Sequence, residues 1–313
     1  MRIVSLLPAA TEIASSLGLG HGLVGRSHEC DWPAQVTGLP ALTRPRVDPA
    51  ASSRQIHEAV VRAVVAEPGT SNALFALDIA GLAALEADVI LTQATCNVCA
   101  IAGDDVAQAL RRSGRAPRVV SLSATTLAGL WDDILAVGAA TGTLPRAREL
   151  VARLQARCDS VACRVVSLGR GEAKRPSVAV IEWLDPPMAA GNWVPELVHL
   201  AGGEDVLGRA GAHSHWIDWP AVAEADPDIV ILAPCGFTLE RIVAEASVAP
   251  LRRQLAPLRA ACEGRLWAMD GHQLLNRPGP RLVDSLEVFA EMMHPDQFNF
   301  SATARFARRL ATS

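Results

Sequence analysis

Residues 145–166 carry Leu150, Leu154, Val161, Val165 and Val166 at helical spacing, with Arg and Glu between them. That spacing predicts one amphipathic helix of some twenty residues, roughly 30 Å long at 1.5 Å per residue. On either side of it, short apolar runs alternate with shorter helical patterns, the rhythm of a parallel sheet covered by helices. A single long helix between two such stretches is a bridge. The sequence is therefore read as α/β, with two Rossmann-like lobes built on parallel sheets and joined by one long helix. The 313 residues, 50% of them hydrophobic, suffice to bury two cores of ordinary domain size. The expected boundaries are 1–143 for the first lobe, 144–168 for the linking helix, 169–295 for the second lobe and 296–313 for a loosely attached tail.

Residues 2–7 read as a first strand, and the helix after it opens at Pro8 and stops at Gly18 and Gly20. Residues 23–26 form a short strand followed at once by Ser27-His28-Glu29-Cys30-Asp31-Trp32-Pro33, a density of polar and metal-binding groups unusual in a mere connection. Residues 53–65 and 79–86 read as helices and residues 88–92 as a buried parallel strand. This strand breaks into Gln93-Ala94-Thr95-Cys96-Asn97-Val98-Cys99. The carboxyl ends of strands in open parallel sheets face the ligand crevice, so both thiols are aimed at a site. A helix over 104–114, a strand over 118–122 and a helix over 126–141 complete the first half. In the second, residues 177–181 read as a strand, 182–193 as a loop and 194–201 as a helix stopped by Gly202-Gly203. The strand over 228–232 ends in Ala233-Pro234-Cys235-Gly236-Phe237, an echo of the Cys96 loop. A strand over 266–269, a loop over 271–281 and a helix over 282–293 follow.

Composition removes several function classes. The formal net charge is -4 and the 29 basic residues are scattered, so no nucleic-acid partner is expected. No run of about 18 apolar residues occurs, so no membrane span is expected. Seven cysteines, an odd number, and the absence of an export segment in the chain as given point to reduced thiols in the cytoplasm. The phosphate-loop, dinucleotide, nucleophile-elbow and zincin motifs are all missing, which favours a binder over the commonest enzymes.

Thiolates with imidazole suit Zn or Fe, and C-x-x-C lets two sulfurs hold one ion from a single turn. Cys30, with His28 or Glu29, is the natural completer of a site begun by Cys96 and Cys99, and Cys235 is a further candidate. Two other readings stand beside this one: inert reduced cysteines lining an organic-ligand cleft, and a redox pair with Cys96 at a helix N-terminus. Trp32, Trp183, Trp193 and Trp216 offer flat apolar walls or core packing. His213 and His215 are metal-ligating or solvated. Arg277 and Arg281 bracket a rigid Pro-Gly-Pro turn and suit a carboxylate or phosphate. Glu182 and Asp185 are a carboxylate pair without an evident nucleophile.

The segments SLLPAATEIASSLG, VGRSHECDWP, DVILTQATCNVCA, EWLDPPMAAGNWVPELVHLAGG, DWPAVAEADPDIVILAPCGF and NRPGPRLVDSLE resemble the cobalamin-binding substrate-binding proteins of ABC importers. The resemblance covers most of residues 1–295 and falls within the class whose lobes are linked by one long helix. It implies a ligand cleft between the lobes, walled by loops around Pro8, His28 to Trp32, Gln93 to Cys99, Trp183 to Trp193, His213 to Trp216, Cys235 to Phe237, and Asn276 to Arg281. The ligand it implies is cobalamin, or another small-molecule or metal-bearing ligand. Exported members begin with a signal segment that this chain as given lacks, so docking to a permease is not expected. The alternative function is a metal-dependent enzyme on the same chassis: Cys30, Cys96, Cys99 and His28 hold Zn or Fe while Glu182, Asp185 and His213 or His215 meet a substrate.

Overall fold

A computed structural model describes residues 1–66, 74–93, 106, 116–168 and 175–311. The chain forms two compact units, Met1–Ala51 with Gln55–Arg153, and Ser52–Arg54 with Leu154–Ser313. The expected helix over 104–114 and the loop bearing Cys96 and Cys99 lie outside the described residues.

The first unit runs β1 (Ile3–Ser5), α1 (Pro8–Ser16), β2 (Leu23–Arg26), β3 (Thr43–Pro45), α2 (Ser53–Ala66, from Gln55 onward), β4 (Phe75–Leu77), α3 (Ile79–Ala84), β5 (Val89–Gln93), β6 (Arg118–Leu122) and α4 (Leu127–Ala140). Its main sheet has the order β2-β1-β5-β6 with every pair parallel. Ile3, Val4, Ile90 and Leu91 are fully buried, as expected of parallel strands covered on both faces. Two helices are capped by side chains: Asp78 accepts from the Gly81 amide and Thr126 from the Gly129 amide. A small antiparallel pair, β3 with β4, adds a ribbon that the sequence reading did not anticipate.

The long helix is α5 (Leu144–Leu168), continuous through the division after Arg153. Its second half is tied to the second unit by Arg157, which bonds Asp284 at 2.7 Å and Glu287 at 2.7 Å.

The second unit continues with β7 (Ser177–Leu184), β8 (Pro187–Ala189), α6 (Val194–Leu200), β9 (Glu204–Asp205), β10 (His215–Trp216), α7 (Trp219–Ala225) and β11 (Ile229–Leu232). It ends with α8 (Leu239–Ala246), α9 (Ala249–Leu255), α10 (Arg259–Cys262), β12 (Leu266–Met269), α11 (Leu282–Met293), α12 (Thr303–Phe306) and β13 (Ala307–Arg309). The sheet order is β10-β8-β7-β11-β12-β13, with β9 also on β7. The core β7-β11-β12 is parallel; β8 and β13 run antiparallel to it, and β10 pairs antiparallel with β8. The second sheet is thus mixed, not purely parallel as expected.

Two expectations are corrected in this unit. Residues 182–193 are not one loop: β7 extends through Leu184, turns at Asp185-Pro186 and returns as β8. Pro187 opens β8, a strand position a proline tolerates, yet in sequence the prolines read as loop. The tail is not loose. Its β13 pairs with β12, Phe298 is buried, and Glu291 on α11 accepts from the amides of Phe300 and Thr303.

Candidate functional site

In the first unit the order β2-β1-β5-β6 reverses direction between β1 and β5, and the carboxyl ends at such a switch point are where α/β sheets take ligands. Pro8 opens α1 just beyond β1, and Gln93 closes β5. The loop after β2 holds His28, whose Nδ1 lies 2.6 Å from Thr43 Oγ1 and whose ring packs edge-on to Phe75 at 5.0 Å. Burial, and then the Arg26 charge, lower the His28 pKa. Its Nε2 is the ring nitrogen outside the Thr43 bond. Glu29 donates its amide to Ser27 Oγ, and Trp32 is 36% exposed.

Cys30 follows in the same loop. It is only 1% exposed, and its Sγ lies 3.0 Å from Thr11 Oγ1, which also meets Ser5 Oγ at 2.8 Å. The thiol is packed against a hydroxyl pair beside β1. Among the described residues no three His, Cys, Asp or Glu side chains converge as a metal site. Cys96 and Cys99 lie outside the described residues, and Cys235 is an exposed thiol in the second unit, after β11.

In the second unit the candidate residues gather where β7 turns into β8 and β8 meets β10. Trp183 pairs with Met188, and Met188 pairs with Trp216. Directly paired residues of antiparallel strands share a face, so Trp183, Met188 and Trp216 form one row across three strands, about 10 Å between its ends. Trp216 is 53% exposed. Trp183 meets Phe237 edge-on at 5.4 Å and donates its Nε1 to Ser53 O at 3.2 Å. Phe237 is itself buried, with the Arg241 guanidinium 3.4 Å from its ring centre.

The register of β7 against β8 slips by one residue between Ile181 and Trp183, a β-bulge with Glu182 as the extra residue. Glu182 is 5% exposed and accepts from Ser214 Oγ and from the Gly191 amide. Burial pushes its carboxyl up to about 7, Asp205 adds to the push, and the two hydrogen bonds oppose it. Asp205 is pushed up to about 6 by burial, against the amides of Gly208 and Leu207 that its Oδ1 accepts. Burial, then Arg209, lower the pKa of His215. His213 is exposed.

Several of the expected ligand residues make contacts within the second unit. Trp193 is buried and donates its Nε1 to Leu275 O at 2.8 Å. Asn276 spends its amide nitrogen on Ala233 O and Gly271 O, which joins the loops after β11 and β12. Arg277 is buried 3.1 Å from His272 Nε2, and Arg281 stands at the N-cap position of α11 with no side-chain capping bond. Asp185 is held bidentately by Arg54 at 2.9 and 2.8 Å. The β-bulge and Ser214 were missed in sequence; an acidic residue among the apolar residues of a strand was the one available signal.

Two α/β units, each with candidate side chains at the carboxyl ends of parallel strands, define a substrate-binding type of protein. The chain belongs to the periplasmic binding protein family, whose model matches residues 3–251. A periplasmic heme-binding protein from Pseudomonas aeruginosa has the same fold, with TM-score 0.69 and 23% identity over 95% of this chain and 93% of that chain. So has the periplasmic vitamin B12 binding protein BtuF of Vibrio cholerae, with TM-score 0.66 and 21% identity over 95% and 97%. The apo form of the periplasmic heme-binding protein RhuT from Roseiflexus sp. RS-1 gives TM-score 0.67 and 20% identity over 94% and 98%. A search of curated protein sequences returned no match.

Proposed function

We propose that the chain binds a large flat, metal-bearing ligand of the cobalamin or heme class and does no covalent chemistry of its own. The observation that carries this is the Trp183–Met188–Trp216 row: two indoles and a polarizable thioether on one face, with the outer indole open to solvent. Such a face gains most from a broad apolar surface. Solved relatives that bind heme and vitamin B12 support the same ligand class. Cys96, Cys99 and His28 carry soft and borderline donors, the chemistry that suits such a metal. The seven cysteines support work in a reducing compartment.

The test is a spectral titration of anaerobically purified protein with hydroxocobalamin and with hemin, beside elemental analysis. Saturable one-to-one binding of either is the expected result, weakened at least tenfold in Trp216→Ala, about 1.4 kcal/mol. Failure to bind both overturns the proposal. A shift of the ligand's absorption bands that is lost in Cys96→Ser would establish the thiolate contact; an unchanged spectrum would remove it.

A further inference from the structure

The segment 207–216 has no helix and only the two-residue strand β10, yet it carries His213, His215 and Trp216. Its path is fixed from below by a set of bonds to the turn after β8. Arg209 donates its amide to Ala190 O, Asn192 donates to Ala212 O, and Gly211 donates to Asn192 O. Gly191 lies so close under the segment that a Cβ there would run into the backbone of Ala212, His213 and Ser214. The Glu182 carboxylate sits at the centre, joining both layers: it accepts from Gly191 in the turn and from Ser214 in the segment. Only the bulge puts a β7 side chain there, because the slip in register adds a residue that β8 does not match.

We infer that Glu182 is a positioning residue: through Ser214 and Gly191 it fixes the path of segment 207–216 and so places Trp216 in the row with Met188 and Trp183. It does not itself contact the ligand. A carboxylate enclosed in protein and bonded to both layers has a strong preference for one arrangement of its partners, since any other leaves it buried without them. The affinity arm of the test below rests on the ligand-binding reading above; the exchange arm does not.

The experiment is amide hydrogen exchange on the ligand-free protein, comparing wild type with Ser214→Ala, Glu182→Gln and Glu182→Ala. In Ser214→Ala the amides of Asn192 and Gly211 should exchange at least tenfold faster, while those of β11 and β12 are unchanged. Glu182→Gln should stay within about threefold of wild type, because its amide oxygen still accepts from Ser214. This rescue separates positioning from simple filling of space. Glu182→Ala should match or exceed Ser214→Ala, and if it does not fold, the Ser214 and Gln variants still decide. Exchange at Asn192 and Gly211 within twofold of wild type in Ser214→Ala overturns the inference. In a second arm, Ser214→Ala should weaken hydroxocobalamin or hemin binding by about tenfold. If wild type binds neither, the ligand reading fails while the exchange result still stands or falls by itself.

Discussion

Glu182 shows how one side chain can set the chemistry of its surroundings. Its carboxyl titrates near 4.5 in an unfolded chain and about 7 in the native fold. Between those values the native protein keeps a proton that the unfolded chain has released, so stability falls as pH rises through this window and levels off above it. Asp205, also raised, acts in the same direction. Of the strands around β7, β8 and β11 carry no titratable residue, β9 carries Glu204 and Asp205, and β10 carries His215. Comparing urea unfolding of wild type and Glu182→Gln at pH 5 and pH 8 isolates the effect. The Gln variant should gain on wild type by up to about 3 kcal/mol at the higher pH, and a constant difference would refute the assignment. None of this was legible in sequence beyond the oddity of an acid in an apolar run. Burial of a carboxylate depends on a register slip and on Ser214, 32 residues away along the chain. The contact of Thr11 Oγ1 with the Cys30 thiol was not legible either, because the two residues are 19 positions apart in the chain.

Whole elements are legible in the sequence for a physical reason. Strands β2, β6 and β12 and helix α11 fall where the sequence puts them; for β12 and α11 the apolar run and the 3.6-residue period reflect burial of the element, whereas β2 is half-buried at alternate residues and β6 is largely exposed. The elements missed are held by tertiary bonds instead: the two-residue strands β9 and β10, the proline-led β8 and the tail. The tail yields a prediction of its own. The Glu291 carboxylate accepts from two backbone amides, Phe300 and Thr303, at the point where the chain turns back toward β13. Glu291→Ala leaves both donors without that acceptor and should cost about 1–3 kcal/mol in urea unfolding. It should also open a protease-sensitive site within 296–306; a variant as stable and resistant as wild type would show that β13 and Phe298 suffice to hold the tail.

At the scale of the whole chain, two units each have their own sheet and buried residues. Unfolding of the ligand-free protein should therefore depart from a single two-state step, with a calorimetric enthalpy above the van't Hoff enthalpy. Equality of the two would show that the units melt as one. The α/β class and the two-part plan were legible from residues 145–166 and the alternation around them, since a helix of that length between short βα repeats has few other uses. The allegiance of Ser52–Arg54 to the second unit was not, because it rests on single side chains: Ser53 on Glu245, Arg54 on Asp185 and Trp183 on Ser53. That allegiance bears on how such a chain can be rebuilt by recombination. The chain passes between its units after residues 51, 54 and 153, so no single crossover in the gene exchanges one complete unit. A hybrid joined within α5 inherits Asp185, Glu245 and Trp183 from one parent and their partners from the other, and the three residues 52–54 must travel with the half of the gene that does not encode them.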